Sequence, residues 1–111
     1  MKELPHYING QRVSGSSGRF GDVFNPATGE VQARVPLASK EELDAAVEIA
    51  AKVQPDWGSV NPQRRARVMM KFVDLLHRDM DKLAEVLSSE HGKTFPDAKG
   101  DVQRGLEVAE Y

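Results

Sequence analysis

A chain of 111 residues, 40% hydrophobic and 29% charged, has apolar material for one modest core and the composition of a folded segment rather than a disordered one. Its net charge of −2 offers no field for capturing nucleic acid or an anionic membrane, and no apolar run approaches the roughly 20 residues a spanning helix needs. The absence of cysteine excludes disulfides, thiolate metal sites and a cysteine nucleophile within these residues. Met1 to Pro5 show no apolar stretch of a secretory signal, and the Arg/Ser-rich pattern of a transit peptide is missing, so a cytoplasmic chain is expected.

The first third reads as β structure. Tyr7-Ile8 and Arg12-Val13 flank Asn9-Gly10, a dipeptide suited to a tight hairpin because both turn positions want positive φ. Ser14 to Gly18 reads as a flexible link. A second hairpin follows, with Phe20 to Phe24 and Val31 to Val35 as strands and Pro26-Ala27-Thr28-Gly29 as the turn. Pro36, lacking a donor for the ladder, either ends that strand or marks it as an edge.

From residue 37 onward the pattern is helical. Ser39 and Glu42 form a capping box, behind which Leu43, Ala46, Val47 and Ala50 make one apolar face; Pro55 and Gly58 are expected to close this helix. Asn61, with Pro62 at the first helical position, caps a second helix whose expected buried stripe is Val68, Met69, Phe72, Val73 and Leu76. Met80, Leu83, Ala84 and Leu87 mark a third helix stopped by Gly92. Pro96 opens a fourth through Val102, Leu106 and Ala109, and its apolar pattern is still running at Glu110-Tyr111. That unfinished helix reads as a segment cut from a longer polypeptide. The helical stripes also outnumber what four short strands could cover, so a partner layer from outside these residues is expected. The segment is thus α+β, two N-terminal β-hairpins (1–36) followed by about four amphipathic helices (37–111).

Most chemical motifs fail on inspection. His91-Gly92-Lys93-Thr94 imitates the end of a phosphate loop, but Leu87 stands where that loop needs glycine, and a helix rather than a strand precedes it. Gly15 to Gly18 lacks the third glycine and the following helix of a dinucleotide fingerprint. Arg64, Arg65 and Arg67 read as a solvated helix face, and His6, His77 and His91 have no second ligand at metal-binding spacing. Asp101 and Arg104, three apart on the fourth helix, can meet as an ion pair. Gly100 and Gly105 flank them at a cost of roughly 1 kcal/mol each relative to alanine, which points to a close backbone approach there. Val108 and Tyr111 extend the same face, and a cation in less polar surroundings suits a carboxylate ligand.

The order of these signals resembles the opening of aldehyde dehydrogenases. It runs through Tyr7-Ile8-Asn9-Gly10, then Phe24-Asn25-Pro26-Ala27-Thr28-Gly29-Glu30, then Val35-Pro36-Leu37-Ala38. Trp57, Arg64-Arg65-Ala66-Arg67 and Glu90-His91-Gly92-Lys93-Thr94 continue it across nearly the whole chain. The stretch Pro96 to Val108, with Gly100-Asp101-Val102-Gln103-Arg104-Gly105 at its centre, is similar to the CoA-acylating methylmalonate-semialdehyde dehydrogenases.

That resemblance implies an α/β parent of the aldehyde dehydrogenase fold. The parent would convert malonate or methylmalonate semialdehyde to acetyl- or propionyl-CoA, releasing carbon dioxide and reducing NAD. It implies that Arg104 pairs with the semialdehyde's free carboxylate, and that Asp101, with backbone carbonyls near Phe24, holds a structural monovalent cation. It also implies a likeness to oligomeric enzymes with no nucleic-acid or membrane partner. The family's catalytic cysteine, oxyanion-hole asparagine and glycine-rich cofactor loop have no match here. The isolated chain is therefore expected to be inactive and to bind neither NAD nor coenzyme A. A fragment of a non-acylating aldehyde dehydrogenase and a stand-alone helical interaction module are the alternative readings.

Overall fold

The computed structural model describes residues 1–111. Strands β1 (Lys2–Glu3), β2 (His6–Ile8), β3 (Gln11–Val13), β4 (Phe20–Phe24) and β5 (Val31–Pro36) precede helices α1 (Lys40–Ser59), α2 (Pro62–Arg78), α3 (Met80–His91) and α4 (Phe95–Glu110). The chain divides into two compact units. One comprises Met1–Phe24 with Gly29–Ser59, and the other comprises Asn25–Thr28 with Val60–Tyr111. Strands thus lie within residues 1–36 and helices within 37–111, but α1 belongs to the same unit as the strands. No helix is long and apolar enough to cross a membrane.

In the first unit, β2 and β3 pair antiparallel as His6↔Val13, Tyr7↔Arg12 and Ile8↔Gln11. Asn9 (φ 54°) and Gly10 (φ 73°) both take the left-handed region that a two-residue hairpin matched to strand twist requires. The second hairpin pairs Phe20↔Pro36 through Val23↔Ala33 and slips register at Val23/Phe24. Within the connecting turn, Ala27 N–H donates to Asn25 Oδ1 at 2.9 Å, the local bond that makes asparagine a turn former.

Two features were not expected. β1 joins the edge of the second hairpin, parallel to β5 through Lys2↔Ala33 and Glu3↔Arg34, which makes β5 the central strand of the order β1-β5-β4. A two-residue strand is too short to show any alternation. Pro36 accordingly ends its strand and does not mark an edge; at the last position its missing N–H costs the ladder nothing. The Ser14–Gly18 link is also held rather than free: Ser16 N–H donates to Glu42 Oε1 at 2.8 Å, and the Ser17 hydroxyl donates to the Leu37 carbonyl.

The capping box forms as its spacing implies. Ser39 N–H donates to Glu42 Oε2 at 2.8 Å, and Glu42 N–H donates to Ser39 Oγ at 3.1 Å. With both oxygens accepting backbone donors, from Ser39 first and then Ser16, the Glu42 carboxyl is lowered from 4.5 to about 2. Of the two residues expected to close α1, Gly58 stands at its end and Pro55 does not stop it. α1 runs through Pro55 to Ser59, because proline's φ suits a helix and one lost bond close to the helix end is tolerated. Ala46, Ile49, Ala50 and Val53 line a shallow groove with the β2–β3 turn, and Leu43, Val47 and Val53 all stay exposed.

In the second unit, Asn61 Oδ1 accepts from Gln63 N–H at 2.8 Å and caps α2, with Pro62 at the first position. Gly92, at φ 86°, ends α3 in the left-handed conformation, and its N–H donates to the Ser88 carbonyl at 2.8 Å. α4 packs against both α3 and α2. Ala84 on α3 and Ala98 on α4 are fully buried and leave room for a close crossing; Leu106 is the one large side chain completely enclosed.

The expected buried stripe of α2 is a correction. Val68, Met69 and Phe72 are exposed, and only Val73 and Leu76 are partly covered. A single neighbouring helix shields one flank, and these residues supply no second layer. The expected close approach at Gly100 and Gly105 is also absent within the chain, since a Cβ built at either would meet nothing within 4 Å.

Candidate functional site

The site begins with a turn. Gly92 has a φ that L side chains avoid, and a Cβ there would come 2.8 Å from Pro26 Cγ. The Ser88 hydroxyl donates to the Lys93 carbonyl at 2.6 Å, locking the residue after the turn. Lys93 is thereby aimed along the start of α4, where Asp97 and Asp101 stand four and eight residues on. Its ammonium lies 3.3 Å from Asp97 Oδ2 and pairs with Asp101 Oδ2. The Lys93 side chain is only 17% exposed, against 37% for Asp101.

Asp101 Oδ1 accepts a 2.8 Å hydrogen bond from Arg104 Nη1. One carboxylate therefore bridges two cations. The hydrogen bond from Lys93 is the main cause holding the Asp101 carboxyl below its usual range, helped by the charges of Lys93 and Arg104. The bond to Asp101, and then that to Asp97, keeps the Lys93 ammonium above its ordinary value. Arg104 is fastened at one nitrogen but otherwise open, with its side chain 75% exposed.

Of the residues singled out from sequence, Asp101 and Arg104 are brought together. Phe24 belongs to the other compact unit, where its carbonyl accepts from the Gln32 side-chain amide at 3.2 Å. Val108 and Tyr111, expected to extend the Arg104 face, line an open groove of about 590 Å³ with Ala66, Met69, Met70 and Val73 of α2. Arg64 and Arg67 are exposed, while Arg65 Nε is buried without a partner. His6 is half-buried with Nε2 unpartnered, His91 is exposed, and His77 sits a loose 3.9 Å from Glu110.

Lys93 was missed as a site residue. The signal was present: lysine, aspartate and aspartate at successive spacings of four share one stripe of a helix and its approach. It was hidden because the rejected phosphate-loop motif absorbed that lysine.

Sequence and fold together match one class of protein. The aldehyde dehydrogenase family model fits residues 13–111, and the chain belongs to that family. Within the family its similarities are specific. It is 47% identical over 110 residues, 99% of this chain and 23% of the relative, to malonate-semialdehyde dehydrogenase 3 of Geobacillus kaustophilus. It superposes with a TM-score of 0.96 and 64% identity on a structure from Sinorhizobium meliloti, assigned as a methylmalonate-semialdehyde dehydrogenase and complexed with NAD, covering 99% of this chain and 22% of that one. The methylmalonate-semialdehyde dehydrogenase of Oceanimonas doudoroffii gives 0.95 at 41% identity, covering 100% and 22%. The chain spans less than a quarter of the length of these relatives.

Proposed function

We propose that the full-length protein carrying this chain is an NAD-dependent, CoA-acylating malonate- or methylmalonate-semialdehyde dehydrogenase, working in the cytoplasm as a homo-oligomer. In it Arg104 takes the substrate's free carboxylate. The observation that carries this reading is the state of Arg104: Nη1 is tethered to Asp101 at 2.8 Å while the side chain is three-quarters exposed. A guanidinium held at one nitrogen loses less freedom when its remaining donors grip a carboxylate. A semialdehyde acid offers that carboxylate at the end remote from its aldehyde. The names of the relatives, at 41–64% identity, support the substrate class.

NAD and coenzyme A would supply the hydride acceptor and the acyl acceptor, and no residue of this chain is assigned to either step. Without a cysteine these residues hold no thiolate to bond the aldehyde carbon, so the chain alone is inactive. The test compares two aldehydes in the full-length protein. Arg104→Leu should impair malonate semialdehyde selectively over propionaldehyde, which has no carboxylate. Equal losses on both would make Arg104 structural and end this reading.

A further inference from the structure

The resemblance assigns Asp101, with backbone carbonyls near Phe24, to a structural monovalent cation, and the surroundings of Asp101 do not fit one. Asp101 presents no unengaged oxygen, since Oδ2 accepts from Lys93 and Oδ1 from Arg104. A metal ion bound there would be in contact with two positive charges, at a cost that grows as water is excluded.

We infer that Lys93 is the resident cation of Asp101, its ammonium filling the role of a bound metal ion, so that this carboxylate needs none from solution. Asp97 and Asp101 lie one turn apart on α4, a spacing at which like charges repel. Lys93 reaches both, 3.3 Å from Asp97 and paired with Asp101. Its position is built rather than incidental. The left-handed Gly92 turns the chain, Pro26 closes the space beside that turn, and the Ser88 hydroxyl pins the Lys93 carbonyl. The lysine is also the least exposed member of the cluster, as a fixed counter-charge should be and a surface lysine is not. This inference concerns the carboxylate alone and does not rest on substrate binding by Arg104.

The test measures the thermal midpoint of the full-length protein in KCl, NaCl and N-methylglucamine chloride at equal ionic strength. The wild type should melt at the same temperature in all three. Lys93→Gln, which leaves two carboxylates without their ammonium, should melt lower in each salt, and Lys93→Arg should recover most of the loss. The inference is overturned if potassium or sodium raises the wild-type midpoint saturably over N-methylglucamine and Asp101→Asn abolishes that gain. It is equally overturned if Lys93→Gln melts with the wild type. A cation-dependent gain that survives Asp101→Asn arises at another site and supports the assignment of Asp101 to Lys93. If Lys93→Gln does not fold, the wild-type and Asp101→Asn comparison still decides.

Discussion

Arg104 donates from Nη1 to Asp101 Oδ1 at 2.8 Å, from three residues further along α4, so the candidate carboxylate ligand is oriented by its own helix before any substrate arrives. Where the rest of the full-length protein encloses Arg104 and its substrate, losing one partner of the charged hydrogen bond costs about 2–5 kcal/mol, so Arg104→Leu should there lower kcat/KM for malonate semialdehyde by roughly 30-fold or more. Propionaldehyde turnover should change little. Arg104→Lys should recover only part of the loss, because a point ammonium cannot reproduce a two-pronged contact. Steady-state kinetics on both aldehydes with both variants reads this directly.

Glu42 makes stability depend on acid in a defined direction. Its carboxyl is lowered from 4.5 to about 2 by the backbone donors of Ser39 and Ser16. A depressed carboxyl contributes stability above its unfolded value and loses it as pH falls through the folded one. Denaturation of the full-length protein and of Glu42→Gln should therefore differ most above pH 4.5 and converge between 4.5 and about 2. Curves that run parallel across that range would show that the capping box is not formed in solution. Lys93 acts in the opposite sense: its raised ammonium contributes below 10.5, and that contribution is lost as pH rises through the higher folded value.

Two glycines at positive φ should respond unequally to alanine. Gly10, at φ +73°, has nothing within 4 Å of the added carbon, so Gly10→Ala should cost only the left-handed penalty of about 1–2 kcal/mol. Gly92→Ala adds a collision with Pro26 at 2.8 Å and should lower the midpoint further. Equal shifts in a thermal melt would mean that Pro26 moves aside freely.

Leu106 and Phe72 test where the missing layer lies. Leu106 is 1% exposed, and Leu106→Ala should destabilise by about 2–5 kcal/mol. Phe72, at 47% exposure here, should be nearly indifferent to alanine in the isolated chain. If the remainder of the protein covers α2, Phe72→Ala should become markedly destabilising in the full-length form. Urea denaturation of both lengths makes the comparison.

The isolated chain should give no NADH from malonate semialdehyde, NAD and coenzyme A. It should also self-associate at micromolar concentration in light scattering. Val68, Met69, Met70 and Phe72 of α2 are all exposed, and apolar surface of that kind drives association. A monodisperse, cooperatively melting monomer would contradict the association.

The sequence alone determined whatever is set by a few neighbouring residues. Asn9-Gly10 specified its hairpin, Ser39 with Glu42 and Asn61 with Pro62 specified two helix starts, and Gly92 specified a helix stop. In each case one backbone conformation or one local hydrogen bond is decisive. Arg104 and Asp101 were legible for the same reason, being neighbours on one helix face. What only the tertiary structure decided involves partners remote in sequence. A two-residue strand, β1, gains its bonds from β5 some thirty residues away, and Pro55 stays helical four residues before the end of α1 despite a strong preference against it. Apolar spacing announced α2's stripe but not its exposure, because periodicity tells which side seeks cover and never whether the cover is present. Lys93 belongs to both cases: its spacing to Asp97 and Asp101 was written in the sequence, but only the Gly92 turn, folded against Pro26, placed its ammonium between the two carboxylates.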